Sequence, residues 1–230
     1  MVEEIRRGYH EQLDDLKGDV IKLSALATEA VAKGTDVLLN ADLAGADQVI
    51  AEDARLDELT HSIEERCYQL LARQQPMASD LRTIVSILRT IHELERIGDL
   101  MLNVAKGTRR IYPQELSPKV RGLIERMGQQ AATQIRLAAD AFVDADTARA
   151  AALGDMDDVM DDLQKDLFRA IFGQGAENEG AVQKAVQMAL IGRYYERIAD
   201  HAVNIAERVM FMVTGAIPGT EPEIEDLPTA

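Results

Sequence analysis

Large aromatic side chains are scarce in this sequence. Its 230 residues include no tryptophan, and aromatic residues make up only 4% of the chain. Hydrophobic residues nevertheless account for 47% and charged residues for 28%, which is typical of a globular protein and argues against disorder. Most of the dominant residue types favour helices, so the core is expected to consist of aliphatic side chains packed between helices.

Cysteine is almost absent as well. Cys67 is the only one, so an intramolecular disulfide and a multi-cysteine zinc site are both excluded. It falls on an apolar stripe, where a thiol is expected to be inert. Any metal bound by this chain would be held by carboxylates, histidines or carbonyl oxygens.

The sequence has few basic residues relative to its acidic ones. The formal net charge is −15 and the isoelectric point about 4.7, whereas a nucleic-acid-binding protein needs a basic surface. We therefore expect no nucleic-acid partner. An acidic chain can still bind basic protein surfaces or cations.

Long apolar runs are missing too. No stretch approaches the roughly 18 to 20 apolar residues that a membrane-spanning helix requires. The start, Met1-Val2-Glu3-Glu4, lacks the basic residues and the apolar stretch of a secretory signal. These features predict a soluble, cytoplasmic protein that does not span the membrane.

Proline is confined to a few positions, of which only Pro76, Pro113 and Pro118 are interior. Because a proline inside a helix costs about 3 kcal/mol, the long proline-free stretches are free to be helical. Within them apolar residues recur every three or four positions, and no strict alternation suggests strands. Short breaks occur at Asn40–Asp42, Gln74–Pro76, Gly107–Pro118, Asp144–Asp146 and Phe172–Gly180. We predict six helices, accurate to a few residues at each end, over 4–40, 42–73, 77–108, 118–144, 146–171 and 179–214.

The sequence repeats itself. Residues 95–105 align with residues 196–206 at a constant offset of 101, and six of the eleven positions are identical. Residues 53–59 align with residues 157–163 at an offset of 104. An internal duplication explains both matches. It predicts an all-α fold of two three-helix units, with boundaries at 1–108 and 118–214 and a Pro/Gly/Glu-rich, flexible tail at 215–230.

Pairs of acidic residues at i, i+4 spacing recur in both units and border the apolar helix faces. Residues four apart lie on the same face of a helix, so the two carboxylates of each pair are neighbours. If the second and third helices of each unit pack together, four carboxylates converge, and such a cluster favours a bound cation. Asn103 and Asn204, one turn further on, would add a ligand or a supporting hydrogen bond. The pairs are Asp53 and Asp57, Glu95 and Asp99, Asp157 and Asp161, and Glu196 and Asp200.

Plainer interpretations stay open. A single acidic pair is usually solvated surface, and Arg96 or Arg197 could neutralise a pair as an ordinary ion pair. The recurrence of both pairs in both units favours a carboxylate-bound metal site in each unit. The histidines are scattered and are not duplicated, so each is expected to be a surface or packed residue.

Two motifs resemble the PhoU family. The run Gln75-Pro76-Met77-Ala78-Ser79-Asp80-Leu81-Arg82, followed by Glu93-Leu94-Glu95-Arg96-Ile97-Gly98-Asp99, resembles its first repeat. The run Tyr195-Glu196-Arg197-Ile198-Ala199-Asp200-His201-Ala202-Val203-Asn204-Ile205 resembles its second. The similarity covers about residues 5–215. The second repeat has Ala199 where the first has Gly98, and a run of aspartates over 155–162 leaves the register of its first acidic pair ambiguous.

The resemblance implies two pseudo-symmetric three-helix bundles and a homodimer. It also implies a negative regulator of the phosphate-starvation response that contacts the ATPase subunit of the phosphate ABC transporter and a sensor histidine kinase. No enzymatic activity is established for the family. Some members bind iron or zinc clusters through acidic motifs, which by position are Asp53, Asp57, Glu95, Asp99, Asp157, Asp161, Glu196 and Asp200 here.

Two other functions compete with this adaptor role. A di-iron carboxylate oxidase of the ferritin-like kind needs a Glu-x-x-His motif on two helices. Only Glu58 and His61 fit that motif, once and without a repeat partner, which argues against an oxidase. A purely structural bundle without metal is the third possibility.

Overall fold

The structure is a computed structural model that describes residues 2–74, 76, 78–113, 115–173 and 179–216. Six helices occupy these ranges, and no strand occurs within them. They are α1 (Val2–Asn40), α2 (Leu43–Gln74), α3 (Ala78–Ile111), α4 (Pro118–Asp144), α5 (Thr147–Phe172) and α6 (Glu179–Thr214). The prediction of six helices at these places is confirmed. No helix in the described ranges is long and apolar enough to cross a membrane.

The helices pack as two three-helix bundles. Helices α1, α2 and α3 contact one another and form the first bundle, and α4, α5 and α6 form the second. The bundles meet where α3 packs on α6 and α1 packs on α4. The core is aliphatic, as predicted, with fully buried side chains such as Leu16, Ile63 and Ile91. Cys67 is also buried, and burial raises the pKa of its thiol to about 12, in agreement with an inert cysteine.

The turns between the first two helices of each bundle are built alike. Ala41 and Ala145 both adopt the left-handed conformation, with φ angles of 50° and 51°. The aspartates that follow, Asp42 and Asp146, each accept a hydrogen bond of 3.0 Å from the backbone N–H three residues on. Such a bond satisfies one of the free N–H groups of the starting helix. The duplication is therefore visible in backbone conformation as well as in sequence.

Helix α3 continues beyond its predicted end at residue 108. The predicted break at Gly107 is wrong, because the helix runs on to Ile111. A Cβ atom at Gly107 would lie 3.0 Å from Cδ1 of Ile191 on α6. Gly107 therefore allows α3 and α6 to approach closely. Burial of Thr108 and Ile111 against the core keeps the last turn helical.

Some predictions fall outside the described residues. Gln75 and Met77 of the first motif, most of the break before α6 and the tail from residue 217 onward belong to this group. The division into units at 1–108 and 118–214 stays a prediction.

Helices α1, α4 and α6 meet at a buried contact between the bundles. Tyr195 of α6 is fully buried, and its hydroxyl lies 2.7 Å from Oγ1 of Thr35 on α1. Thr35 donates its own proton to the carbonyl of Val31, at 2.7 Å, so Tyr195 is the donor to Thr35. Gly128 of α4 faces the same threonine, and a Cβ atom there would lie 2.5 Å from Oγ1 of Thr35. This contact therefore needs both a hydroxyl pair and a residue without a side chain.

Candidate functional site

The first acidic cluster consists of Asp53 and Asp57 on α2 and Glu95 and Asp99 on α3. The two helices run antiparallel, and a Cβ atom at Gly98 of α3 would lie only 3.1 Å from Oδ1 of Asp53. Burial raises the pKa of Asp53 to about 6, and the charges of Asp57, Asp99 and Glu95 add to this rise. Burial, then Glu95 and Asp99, also raise the pKa of Asp57. The charges of Glu95 and Asp99 on α3 therefore oppose the ionisation of both aspartates on α2.

Two members of the first acidic cluster already have cationic or hydrogen-bonding neighbours on α3. Arg96 donates to Asp99 at 3.0 Å, and Nδ1 of His92 lies 3.1 Å from a carboxylate oxygen of Glu95. These side chains are partly open to solvent, with 44% of Asp99 and 36% of Glu95 exposed. In the first bundle the structure thus contains the ordinary ion pair with Arg96 that the sequence left open.

The second acidic cluster consists of Asp157 and Asp161 on α5 and Glu196 and Asp200 on α6. Glu196 is only 7% exposed. One of its carboxylate oxygens accepts from Arg193, and the other is buried without a hydrogen-bond partner in the described part of the chain. Oδ1 of Asp157 is buried and unpartnered in the same way. This cluster is therefore drier than the first and less fully neutralised.

The electrostatics of the second acidic cluster follow from this burial. Burial raises the pKa of Glu196, and the charge of Asp200 raises it further, whereas Arg193 lowers it. Burial likewise raises the pKa of Asp157, with Asp200 and Asp161 adding to the rise. Carboxylates on α5 and α6 thus act on each other, as carboxylates on α2 and α3 do in the first bundle.

The donor set of both clusters, all carboxylate oxygens, suits a hard or borderline cation. The side chains as they stand do not fit one. Among the described residues, no group of three or more His, Cys, Asp or Glu side chains is arranged to hold a metal ion. The helices bring each acidic quartet together without bringing its oxygens into a coordination shell. The assignment of these eight residues as metal ligands stays a prediction.

The structure places Asn204 in a different set of contacts. Its side-chain amide donates to Oε2 of Glu93 on α3, at 3.2 Å, and Nδ1 of His201 lies 2.7 Å from the same oxygen. Burial raises the pKa of Glu93, but the hydrogen bonds of His201 and Asn204 outweigh it and hold that pKa below its usual value. Asn103, the counterpart of Asn204 in the first bundle, is half-buried on α3.

Sequence reasoning missed this contact between Glu93 and His201. The two residues lie 108 positions apart, on helices of different bundles, so no periodic spacing relates them. The sequence signal that could have indicated the contact is a difference between the two repeats. His201 aligns with Leu100, and Glu93 aligns with Tyr194, so both polar residues lack a counterpart in the other repeat.

These features define a class of protein: a duplicated, all-helical chain whose two bundles each carry a cluster of four carboxylates on two adjacent helices. Comparison with known families identifies the class. The PhoU domain family model matches residues 20–108 and 124–209, one match for each bundle, and the chain belongs to the PhoU family.

Relatives support this membership along nearly the whole chain. "Phosphate-specific transport system accessory protein PhoU homolog 2" of Mycobacterium tuberculosis is 40% identical over 215 residues, which cover 93% of this chain and 100% of the relative. PhoU homolog 1 of the same species is 39% identical over 96% of this chain and 99% of its own length. Both relatives are named as accessory proteins of phosphate-specific transport.

Solved structures agree with the fold. The crystal structure of PhoU from Pseudomonas aeruginosa has a TM-score of 0.84 and 31% identity, and covers 90% of this chain and 100% of its own. The phosphate transport system regulatory protein PhoU from Streptococcus pneumoniae has a TM-score of 0.83 and 27% identity, over 91% and 98%. The predicted pair of three-helix bundles is thus confirmed.

Proposed function

We propose that this protein is a non-enzymatic adaptor that represses the phosphate-starvation response. It links the phosphate ABC transporter, through the ATPase subunit, to a sensor histidine kinase and so modulates phosphate uptake. The observation that carries this proposal is the 40% identity, over 93% of the chain, to relatives named as accessory proteins of phosphate-specific transport. Both bundles take part in the match, so the proposed role belongs to the whole chain.

The charge of the protein supports docking to basic surfaces. The net charge of −15 is spread unevenly, and the outer helix α5 carries a series of exposed aspartates. These are Asp155, Asp158, Asp162 and Asp166. Acidic surfaces steer association with basic partners and make it sensitive to salt. We therefore expect the partner surfaces to be basic and the complexes to weaken as ionic strength rises.

The alternative of a di-iron oxidase gains no support from the position of its motif. Glu58 is exposed on α2, and 81% of the His61 side chain is exposed. A ferritin-like site requires its Glu-x-x-His motifs to project into the bundle interior. These two side chains face solvent instead, and the second bundle offers no matching pair.

The acidic clusters supply a second candidate function, the binding of iron, zinc or another divalent cation. The unpartnered buried oxygens of Asp157 and Glu196 support this proposal, because a cation would satisfy both. Asp53 and Glu95 would take the corresponding places in the first bundle. The cation would neutralise the carboxylates and tie the second helix of each bundle to the third. No step of the adaptor role depends on it.

A binding and expression experiment tests the adaptor role. The full chain is titrated against the purified ATPase subunit and against the cytoplasmic part of the kinase, at high phosphate. In cells, deletion of the gene is expected to switch on a phosphate-starvation reporter despite abundant phosphate. Absence of binding to both partners, together with an unchanged reporter, would rule out the proposal.

Metal content and assembly are measured on the same preparation. Elemental analysis before and after chelation, with zinc or ferrous iron added back, tests the cation proposal. A protein without iron, zinc or other divalent metal, and with unchanged stability when metal is added, would remove it. The Asp157→Asn and Glu196→Gln variants are expected to lose metal, whereas Asp15→Asn, an exposed control on α1, is expected to keep it. Light scattering tests the homodimer, which we propose on the family resemblance.

A further inference from the structure

The seam between the two bundles has one polar half. Helices α3 and α6 run antiparallel along it, so residues of α3 meet residues of α6 in reverse order. Arg82 donates to the carbonyl of Met212 and Ser86 to the carbonyl of Arg208, each at 3.2 Å. Further along, Glu93 meets His201 and Asn204 at 2.7 and 3.2 Å. Side chains thus hold the two helices together at three successive levels.

The contact among Glu93, His201 and Asn204, here called the seam bridge, is the level at which a carboxylate of one bundle meets side chains of the other. Only 18% of the Glu93 side chain and 14% of the His201 side chain are exposed. One carboxylate oxygen of Glu93 accepts from both partners, which come from the other bundle. Arg208, one turn beyond Asn204, adds a favourable charge. The bridge therefore joins the bundles through directional, charge-assisted bonds in a partly buried environment.

The other half of the seam has no counterpart of the pair Glu93 and His201. The duplication places Tyr194 where the second bundle would have its counterpart of Glu93, and Leu100 where the first would have its counterpart of His201. Close packing takes over there, as Gly107 lies against Ile191. Among the described residues, the side-chain hydrogen bond from α3 to α6 at that end is the exposed one between Arg110 and Gln187, at 3.5 Å. The buried bond of Tyr195 at that end goes to Thr35 of α1 and is between two neutral hydroxyls. Between the pseudo-symmetric helices α3 and α6, a carboxylate bridge thus occurs in one half of the seam and has no counterpart in the other among the described residues.

We propose that the seam bridge is a latch that fixes the orientation of one bundle relative to the other. Apolar packing is tolerant of small rotations, whereas a carboxylate that shares one oxygen between two donors is not. A buried ion pair typically adds little net stability, and its best-attested use is to select one arrangement among several. Loss of the latch lets the two bundles pivot about the other half of the seam, where Gly107 packs on Ile191, while each bundle stays folded. This property is independent of the proposed partners and cations.

Distance measurements between the bundles test the latch. Ser62 on α2 and Ala152 on α5 are exposed and become the two labelled positions through Ser62→Cys and Ala152→Cys. Native Cys67 is fully buried and does not compete for the label. Pulsed electron spin resonance then gives the distribution of label distances. We expect one narrow population in the parent chain, and a broader distribution or a second population in His201→Leu.

Two further variants make the result decisive. His61→Leu removes an exposed histidine of α2 and is expected to leave the distribution unchanged. The double variant Glu93→Tyr/His201→Leu copies the residue pair of the other half of the seam and leaves no buried carboxylate unpaired. We expect it to keep full helicity and still show the broader distribution. A narrow parent-like distribution in the double variant would overturn the latch, and so would its failure to fold, because the bridge would then be a requirement for folding.

Discussion

Replacing Asp53 by asparagine is expected to stabilise the cation-free protein at neutral and alkaline pH. Burial first, and then the charges of Asp57 and Asp99, raise the pKa of this carboxyl from 3.8 to about 6. The folded protein therefore holds the proton more tightly than the unfolded chain does. The stability that the proton provides is complete below the unfolded pKa of about 3.9 and is lost as the pH rises through the folded value.

The size of the effect follows from the shift. A rise of the Asp53 pKa from 3.8 to about 6 corresponds to about 3 kcal/mol, at roughly 1.4 kcal/mol per pKa unit. Asp53 is partly exposed, so solvent screening reduces this to about 1–2 kcal/mol. An uncharged asparagine removes the repulsion from the neighbouring carboxylates. We expect Asp53→Asn to gain about 1–2 kcal/mol at about pH 8, and little at about pH 4.

Urea unfolding in the presence of a chelator measures this gain. The free energy of unfolding is compared at both pH values for the parent chain, for Asp53→Asn, and for Asp15→Asn on the exposed face of α1. The control is expected to change stability by less than about 0.5 kcal/mol. If Asp53→Asn were no more stable than the parent at high pH, burial and the neighbouring carboxylates would not oppose the ionisation of Asp53, and the electrostatic description of the cluster would be refuted.

Three other substitutions probe the fold. Gly128→Ala is expected to cost about 1–3 kcal/mol of stability, because the new Cβ would collide with the branched Thr35 side chain. Gly122→Ala on the same helix meets open space and is expected to gain about 0.5–1 kcal/mol. Asp146→Ala removes the cap of α5 and is expected to cost about 1 kcal/mol. Thr35→Val leaves the buried Tyr195 hydroxyl without its acceptor and is expected to cost about 1–3 kcal/mol, more than Tyr195→Phe, which leaves Thr35 bonded to its own helix. Thermal or urea unfolding checks each value. Equal effects of the two glycine substitutions, a neutral Asp146→Ala, or a larger loss for Tyr195→Phe would contradict the corresponding contact.

Most of the fold could be predicted because its causes are local. Apolar residues at helical spacing, few prolines and short Asp-containing turns determine where five of the six helices end. The end of α3 was misplaced because Gly107 reads as a breaker in isolation. In the structure Gly107 allows α3 to pack closely on Ile191 of the other bundle. Helical periodicity within one helix does not predict such a contact.

The clustering of the acidic residues could also be predicted from local spacing. The i, i+4 spacing within a helix and the adjacency of consecutive antiparallel helices place Asp53 beside Asp99, and Asp157 beside Asp200. Burial was not predictable, because Glu95 and Glu196 occupy aligned positions and differ in their surroundings. Glu196 is nearly enclosed, whereas Glu95 is open enough to contact His92. The seam bridge could not be predicted from the sequence, because it depends on how the two bundles pack against each other.

That bridge also affects how freely the two halves can be exchanged. A chain assembled from two copies of the first half would set Glu93 against Leu100 on both sides, so that each carboxylate would lack its histidine donor. Two copies of the second half would set His201 against Tyr194 twice and provide no anion. The two halves still share their helices and turns. Each half nevertheless supplies one partner of the bridge, so two copies of the same half would not reproduce it.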